Sequence, residues 1–124
     1  MEKSRAADEF APYIAGLVRR ERSRRRRMRK RATQATEAAR AAADLLRQRY
    51  GATRVRLFGS ALYPGRFHER SDVDLAVEGL APQDYLNAWA LVNGPGGEFE
   101  IDLVTPDMCR PAIWKSAERE GVEL

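Results

Sequence analysis

The chain has one cysteine, one histidine, two tryptophans and no long hydrophobic run in its 124 residues. A lone cysteine, Cys109, cannot close an internal disulfide, so packing must hold the fold and a reducing cytoplasm is the expected setting. Cys109 itself reads as a small near-core hydrophobe. No stretch is apolar enough to cross a bilayer, and no N-terminal apolar region resembles a signal peptide, so no membrane role is expected. His68 is the only imidazole and falls in a polar stretch, residues 67–70, where it reads as a surface loop residue rather than a catalytic one. There is no internal repeat.

Charge is abundant but unevenly spread. Residues 1–31 carry twelve Lys/Arg and four Asp/Glu, a net +8, whereas residues 32–124 carry ten and fourteen, a net −4. The basic excess is concentrated in Arg19-Arg20-Glu21-Arg22-Ser23-Arg24-Arg25-Arg26-Arg27-Met28-Arg29-Lys30-Arg31. Three roles fit such a run: a solvated helix face, a docking surface for an acidic protein or a second copy, and a nucleic-acid contact. Binding to phosphates would be independent of sequence and steeply salt-dependent. The run has no interleaved aromatics for base stacking, which argues against dedicated single-strand recognition.

Helical periodicity surrounds this run. Phe10, Ile14, Leu17 and Val18 recur at helical spacing, and Ala35, Ala38, Ala39, Ala42, Leu45, Leu46 and Tyr50 form a second apolar stripe. Pro12 suits a first turn and Gly51 a stop. A helix from about 12 to 50 would be roughly 57 Å long at 1.5 Å per residue, so only its last turns can pack on a small domain. The expected organisation is an Arg-rich extension over residues 1–32 followed by a domain over residues 33–124.

The chemistry lies farther on. An apolar strand, Arg54 to Phe58, runs into Gly59-Ser60; residues 61–70 follow, and then Ser71-Asp72-Val73-Asp74-Leu75. Glycine allows close backbone approach, and amides at such a turn suit phosphate oxygens. Side chains two apart on a strand share a face, so Asp72 and Asp74 project together. Side by side they repel, and a divalent cation relieves that cost. A third carboxylate, Asp102, sits in Glu100-Ile101-Asp102-Leu103-Val104. Between Ile and Leu on a core strand it is costly unless paired or metal-bound. Three such carboxylates suffice for two Mg²⁺ ions clamping an in-line phosphoryl or nucleotidyl transfer.

The ordered trio Leu57-Phe58-Gly59-Ser60, Asp72-Val73-Asp74-Leu75 and Ile101-Asp102-Leu103-Val104 resembles the polymerase-β-type nucleotidyltransferase superfamily. Over residues 33–124 the short chain looks like its minimal nucleotidyltransferases (MNT), many of which are encoded beside a HEPN-type ribonuclease toxin. The resemblance implies an α+β fold, a small mixed sheet with flanking helices, here preceded by a long basic helix. It implies that Gly59 and Ser60 hold the phosphates of ATP, that Asp72, Asp74 and Asp102 hold Mg²⁺, and that Asp102 helps activate the attacking hydroxyl. Family members often carry a small basic motif after the Gly-Ser. Here Arg66 is displaced from the usual place, and Arg70, beside Ser71-Asp72, is the other candidate for nucleotide contact.

The function implied is that of a HEPN–MNT antitoxin, transferring AMP from ATP to a tyrosine of the partner ribonuclease. A contact-only antitoxin keeps the fold without the chemistry. A free-standing transferase acting on a small molecule or on RNA ends is the third reading, disfavoured because no second domain is present to bind an acceptor. In the remaining chain, Val73 to Val77 reads as the second strand. Pro82 opens a helix bearing Tyr85, Ala88, Trp89 and Val92. Residues 93–97 form a loop, Phe99 to Val104 is the third strand, and Thr105-Pro106-Asp107 reads as a cap and first turn. Pro111 restarts a helix ending at Gly121, with a last short segment on the sheet.

Overall fold

The computed structural model describes residues 2–63 and 65–124, with side chains from residue 9 onward. Pro64, near which the sequence suggests that a short helix opening at Gly59-Ser60 ends, lies outside the described residues.

The first element, α1, runs from Glu2 to Tyr50 over 49 residues, about 73 Å at 1.5 Å per residue. The sequence suggests a start near Pro12; the helix instead carries Pro12 inside it. A proline removes one i→i−4 hydrogen bond, and turns formed on both sides absorb that single loss. Burial begins only at Met28 and continues through Ala32, Ala35, Ala39, Ala42, Ala43 and Leu46. These positions step by three and four, and the alanines let α1 lie close on the sheet. Every described residue from Glu9 to Arg27 is exposed, apart from half-exposed Gly16 and Ser23, so this part of α1 is a projecting arm. The helix crosses residue 32 without a break. Gly51 ends it in the left-handed conformation (φ 68°), with its N–H donating to the Arg47 carbonyl at 3.1 Å and the Ala52 N–H donating to that of Leu46 at 3.2 Å.

Four strands follow: β1 (Arg54–Phe58), β2 (Val73–Glu78), β3 (Ile101–Val104) and β4 (Val122–Glu123). Their order is β3-β2-β1-β4; β1 pairs antiparallel with β2 and β4, and β2 pairs parallel with β3. A parallel neighbour needs a crossover. Helix α2 (Tyr85–Val92), opened by a 3₁₀ turn at Pro82–Asp84, supplies it. Helix α3 (Pro111–Glu120) leads into β4, and Leu124 is tied down by its N–H donating to the Val55 carbonyl at 2.9 Å and by Arg47 donating to its own carbonyl. The fold is therefore α+β: a small mixed sheet with flanking helices behind a long N-terminal helix. Thr105 to Met108 forms an isolated turn, the Met108 N–H donating to the Thr105 carbonyl at 3.2 Å, and α3 begins only at Pro111. Cys109 is half-exposed, its thiol against the Arg110 carbonyl.

Alternation divides the sheet into two faces. Val55, Leu57, Val73, Leu75, Val77, Ile101 and Leu103 are buried together with the alanines of α1 and Ala88 of α2. The intervening positions Arg54, Arg56, Asp74, Glu78 and Asp102 lie on the other face. There Arg54 pairs with Glu78 and Glu123, at 3.8 and 3.3 Å, and Arg56 with Glu78 at 3.6 Å.

The entry into β3 is held by Asn93, just after α2. Its side-chain amide donates to the Ile101 carbonyl, and its side-chain oxygen accepts from the Ile101 N–H, both at 2.8 Å. The side chain thus stands in for a neighbouring strand, one residue before Asp102. Asn93→Ala strands two backbone groups of a buried residue and is expected to cost about 1–3 kcal/mol. Thermal unfolding should show a lower Tm, and the Ile101 amide should exchange faster. Unchanged values for both would mean that the pair contributes nothing to holding β3.

Candidate active site

Register brings the carboxylates together. Phe58 of β1 pairs with Asp74 of β2, and Asp74 pairs with Asp102 of β3. Paired residues in adjacent strands point to the same face, so Asp74 and Asp102 stand side by side. Asp72, two residues before Asp74, joins them at the mouth of β2. The parallel ladder starts at that point, with the Val73 N–H donating to the Glu100 carbonyl at 2.9 Å. All three carboxylates are half-exposed. Residues 28 positions apart in the chain thus meet because the α2 crossover places β3 beside β2.

The electrostatics follow from this crowding. Burial, then the negative charges of Asp102 and Asp72, push the Asp74 carboxyl from 3.8 up to about 6. Asp102 is also raised, by burial and then by Asp72. Gly59 sits at φ 80°, the start of a 3₁₀ turn over Gly59–Leu62, and a β-carbon there would collide with the Asp74 carboxylate. The glycine is required twice, by its left-handed backbone and by the space the carboxylate occupies. Ser60, half-exposed, follows in the same turn.

The donors suit a hard divalent cation. They are all carboxylate oxygens, two in register on neighbouring strands and the third on the same face, with room kept beside them by a glycine. Among the described residues, no three His, Cys, Asp or Glu side chains are placed so that together they could hold a metal ion as they stand.

Arg66 is exposed, its guanidinium over the Tyr63 ring at 5.1 Å. Arg70 is exposed too, and its backbone N–H donates to His68 Nδ1 at 3.2 Å. Neither makes an ion pair with the carboxylates among the described residues. His68 is a loop residue: its N–H donates to the Ser71 hydroxyl at 3.0 Å, and its carbonyl accepts from the Ser71 N–H at 3.1 Å. Ser71, buried, closes the turn that delivers Asp72.

Two residues near the site were not legible as such in the sequence. The Tyr85 hydroxyl donates to the Leu103 carbonyl at 2.7 Å, and burial, then the charge on Asp102, raises its pKa, so this tyrosine stands beside the third carboxylate. In the sequence it is one member of an apolar helical stripe, and nothing in the spacing distinguishes it. Arg31 closes the arginine run, yet it is not a free charge. It donates to the Glu69 carbonyl at 3.1 Å and lies over the Phe99 ring at 4.5 Å. Phe99 in turn meets Phe67 at 6.2 Å. Arg31 thus ties α1 to both segments leading to the carboxylates, a role that a position within a charge run does not reveal.

Hollows elsewhere on the surface lie away from this cluster, one of about 660 Å³ along the arm between Leu17 and Arg27. One of about 450 Å³ separates the arm at Glu21, Arg24 and Met28 from Gly65 and Phe67. Another of about 550 Å³ lies between α1 and the segment from Val92 to Phe99. The carboxylates, with their register and shifted acidities, mark the chemistry better than cavity size does.

Fold and site together define a small α+β domain with three carboxylates gathered at one end of a mixed sheet beside a glycine-led turn. No protein-family model matches the chain, and no curated protein matches it. Among the described residues, no helix is long and apolar enough to cross a membrane.

Proposed function

We propose that the chain is a Mg²⁺-dependent nucleotidyltransferase of the minimal type, serving as the antitoxin of a HEPN–MNT pair by transferring AMP from ATP to a tyrosine of the partner ribonuclease. The observation carrying this reading is the pairing of Asp74 with Asp102 across β2 and β3, with Asp72 alongside. Its second support is Gly59, whose missing side chain leaves room for the Asp74 carboxylate. The choice of ATP, of a tyrosine acceptor and of a HEPN partner rests on the sequence resemblance alone.

Mg²⁺, held by Asp72, Asp74 and Asp102, would neutralise these carboxylates and the triphosphate. The Gly59 backbone and the Ser60 hydroxyl offer donors to phosphate oxygens. Asp102, whose pKa is raised by burial and by Asp72, is suited to accept the proton of the acceptor hydroxyl. That oxygen bonds to the α-phosphorus, the bond from the α-phosphorus to the bridging oxygen breaks, and pyrophosphate leaves with the electron pair.

Incubation with Mg²⁺ and α-³²P-labelled ATP, alone and with the candidate partner, tests the proposal by denaturing gel and intact mass. Label on the partner, absent with Asp72→Ala, is the expected result. A tight complex with no label on any protein or RNA would replace it with the contact-only antitoxin. Efficient modification of a small molecule without a partner would replace it with the free-standing enzyme.

A further inference from the structure

The projecting arm is strongly charged, but it is not polar all round. Phe10, Tyr13, Ile14, Leu17 and Val18 are 59, 62, 56, 46 and 43 % exposed. Their spacing places them on one side of α1. Ile14 and Leu17 lie 14 and 11 residues before Met28, which at 100° per residue puts them within about 40° of its direction. The stripe therefore extends, beyond the body, the same helix face that is buried on the sheet from Met28 to Leu46. A large aromatic side chain buries about 150–250 Å² when fully covered. Five side chains about half exposed amount to roughly 500 Å² per copy, at the upper end of what an isolated protein shows, and to roughly 1,000 Å² over two copies, which reaches the threshold for a specific interface.

We infer that this stripe is a self-association surface, on which the arms of two copies of the chain pair antiparallel. Charge selects the orientation. Residues 1–9 carry Glu2, Asp8 and Glu9 against Lys3 and Arg5, a net −1, whereas residues 19–27 carry seven arginines against Glu21, a net +6. Parallel arms would set +6 beside +6. Antiparallel arms set each +6 segment beside the −1 segment of the other copy. Maximum overlap of a stripe from Phe10 to Val18 places the two-fold axis beside Ile14, so that position i faces position 28−i. Glu9 of each copy then faces Arg19 of the other. The far end of each helix, at Glu2, comes level with residue 26, just short of Met28, where the body begins. The pairing also accounts for an ordered helix through a run of like charges that destabilise an isolated one. It is independent of the chemistry proposed for the carboxylates.

Sedimentation of the full chain across a concentration series, together with disulfide trapping in a Cys109→Ser background, tests the inference. Wild type should sediment as a dimer, and Ile14→Glu with Leu17→Glu as a monomer whose body melts unchanged. Under mild oxidation Ile14→Cys should link to itself. Phe10→Cys should not, but should link to Val18→Cys when the two variants are mixed. A wild type that stays monomeric at every concentration, a dimer indifferent to the double substitution, or self-linking of Phe10→Cys as efficient as that of Ile14→Cys would each overturn it.

Discussion

Asp74→Asn is expected to abolish nucleotidyl transfer while making the cation-free protein more stable at neutral pH. The loss should be at least about 10³-fold, since even residues that merely orient metal ligands cost 10–100-fold. The gain has the opposite origin. The folded Asp74 carboxyl titrates near 6, against 3.8 for an unperturbed one, so the folded state holds the proton more tightly than the unfolded chain does. The stability this contributes is fully present below pH 3.8 and is lost as pH rises through about 6. The upper bound is about 3 kcal/mol, of which a carboxyl this open to solvent keeps about 1 kcal/mol. Asparagine does not ionise. The variant should therefore match wild type near pH 4 and exceed it by roughly 4 °C in Tm at pH 7.5. Mg²⁺ should raise the Tm of wild type at pH 7.5 and leave that of the variant nearly unmoved. A variant less stable than wild type at pH 7.5, or one that still transfers AMP, would contradict the crowded-carboxylate picture.

Gly59→Ala should be nearly as damaging to activity, for a steric reason. The new β-carbon meets the Asp74 carboxylate, and the left-handed backbone costs about 1–2 kcal/mol for any residue with a β-carbon. The relief available is to move the turn or the carboxylate, and either displaces Gly59 and Ser60 relative to the acidic cluster. Labelled-ATP transfer should fall by about 10²-fold, as a displacement of about 1 Å does elsewhere, and Tm should drop by several degrees. Gly65→Ala is a useful control because a β-carbon at Gly65 meets nothing within 4 Å. Equal effects at the two glycines would remove Gly59 from the site.

The two substitutions divide the site by what the sequence could show. Gly59 and Ser60 stand out in the linear chain as the turn that ends an apolar strand, and Asp72, Asp74 and Asp102 as carboxylates in or beside apolar strands. Alternation alone places Asp72 and Asp74 on one face. The helix stop at Gly51, the strands and the crossover helix were equally readable, since short-range backbone preference and hydrophobic period determine them. The start of α1 was less so: Pro12 lies within the helix, and one proline does not decide whether neighbouring turns form.

Other features depended on contacts between distant segments. That Asp102 pairs with Asp74, and not with a residue one or two places along, is set by the register of a parallel ladder, and Asn93 holds its first residue. Arg31 and Tyr85 acquire their places beside the site only through Glu69, Phe99 and Leu103. Arg66, adjacent in sequence to the motifs, lies over the Tyr63 ring, and Arg70 is exposed. The sequence by itself determined the elements, the candidate carboxylates and the uneven charge, because these follow from local pattern and composition. Only the tertiary structure decided which carboxylates meet, how far their acidities shift, and where α1 leaves the body as an exposed arm, because register, desolvation and burial depend on residues far apart in the chain.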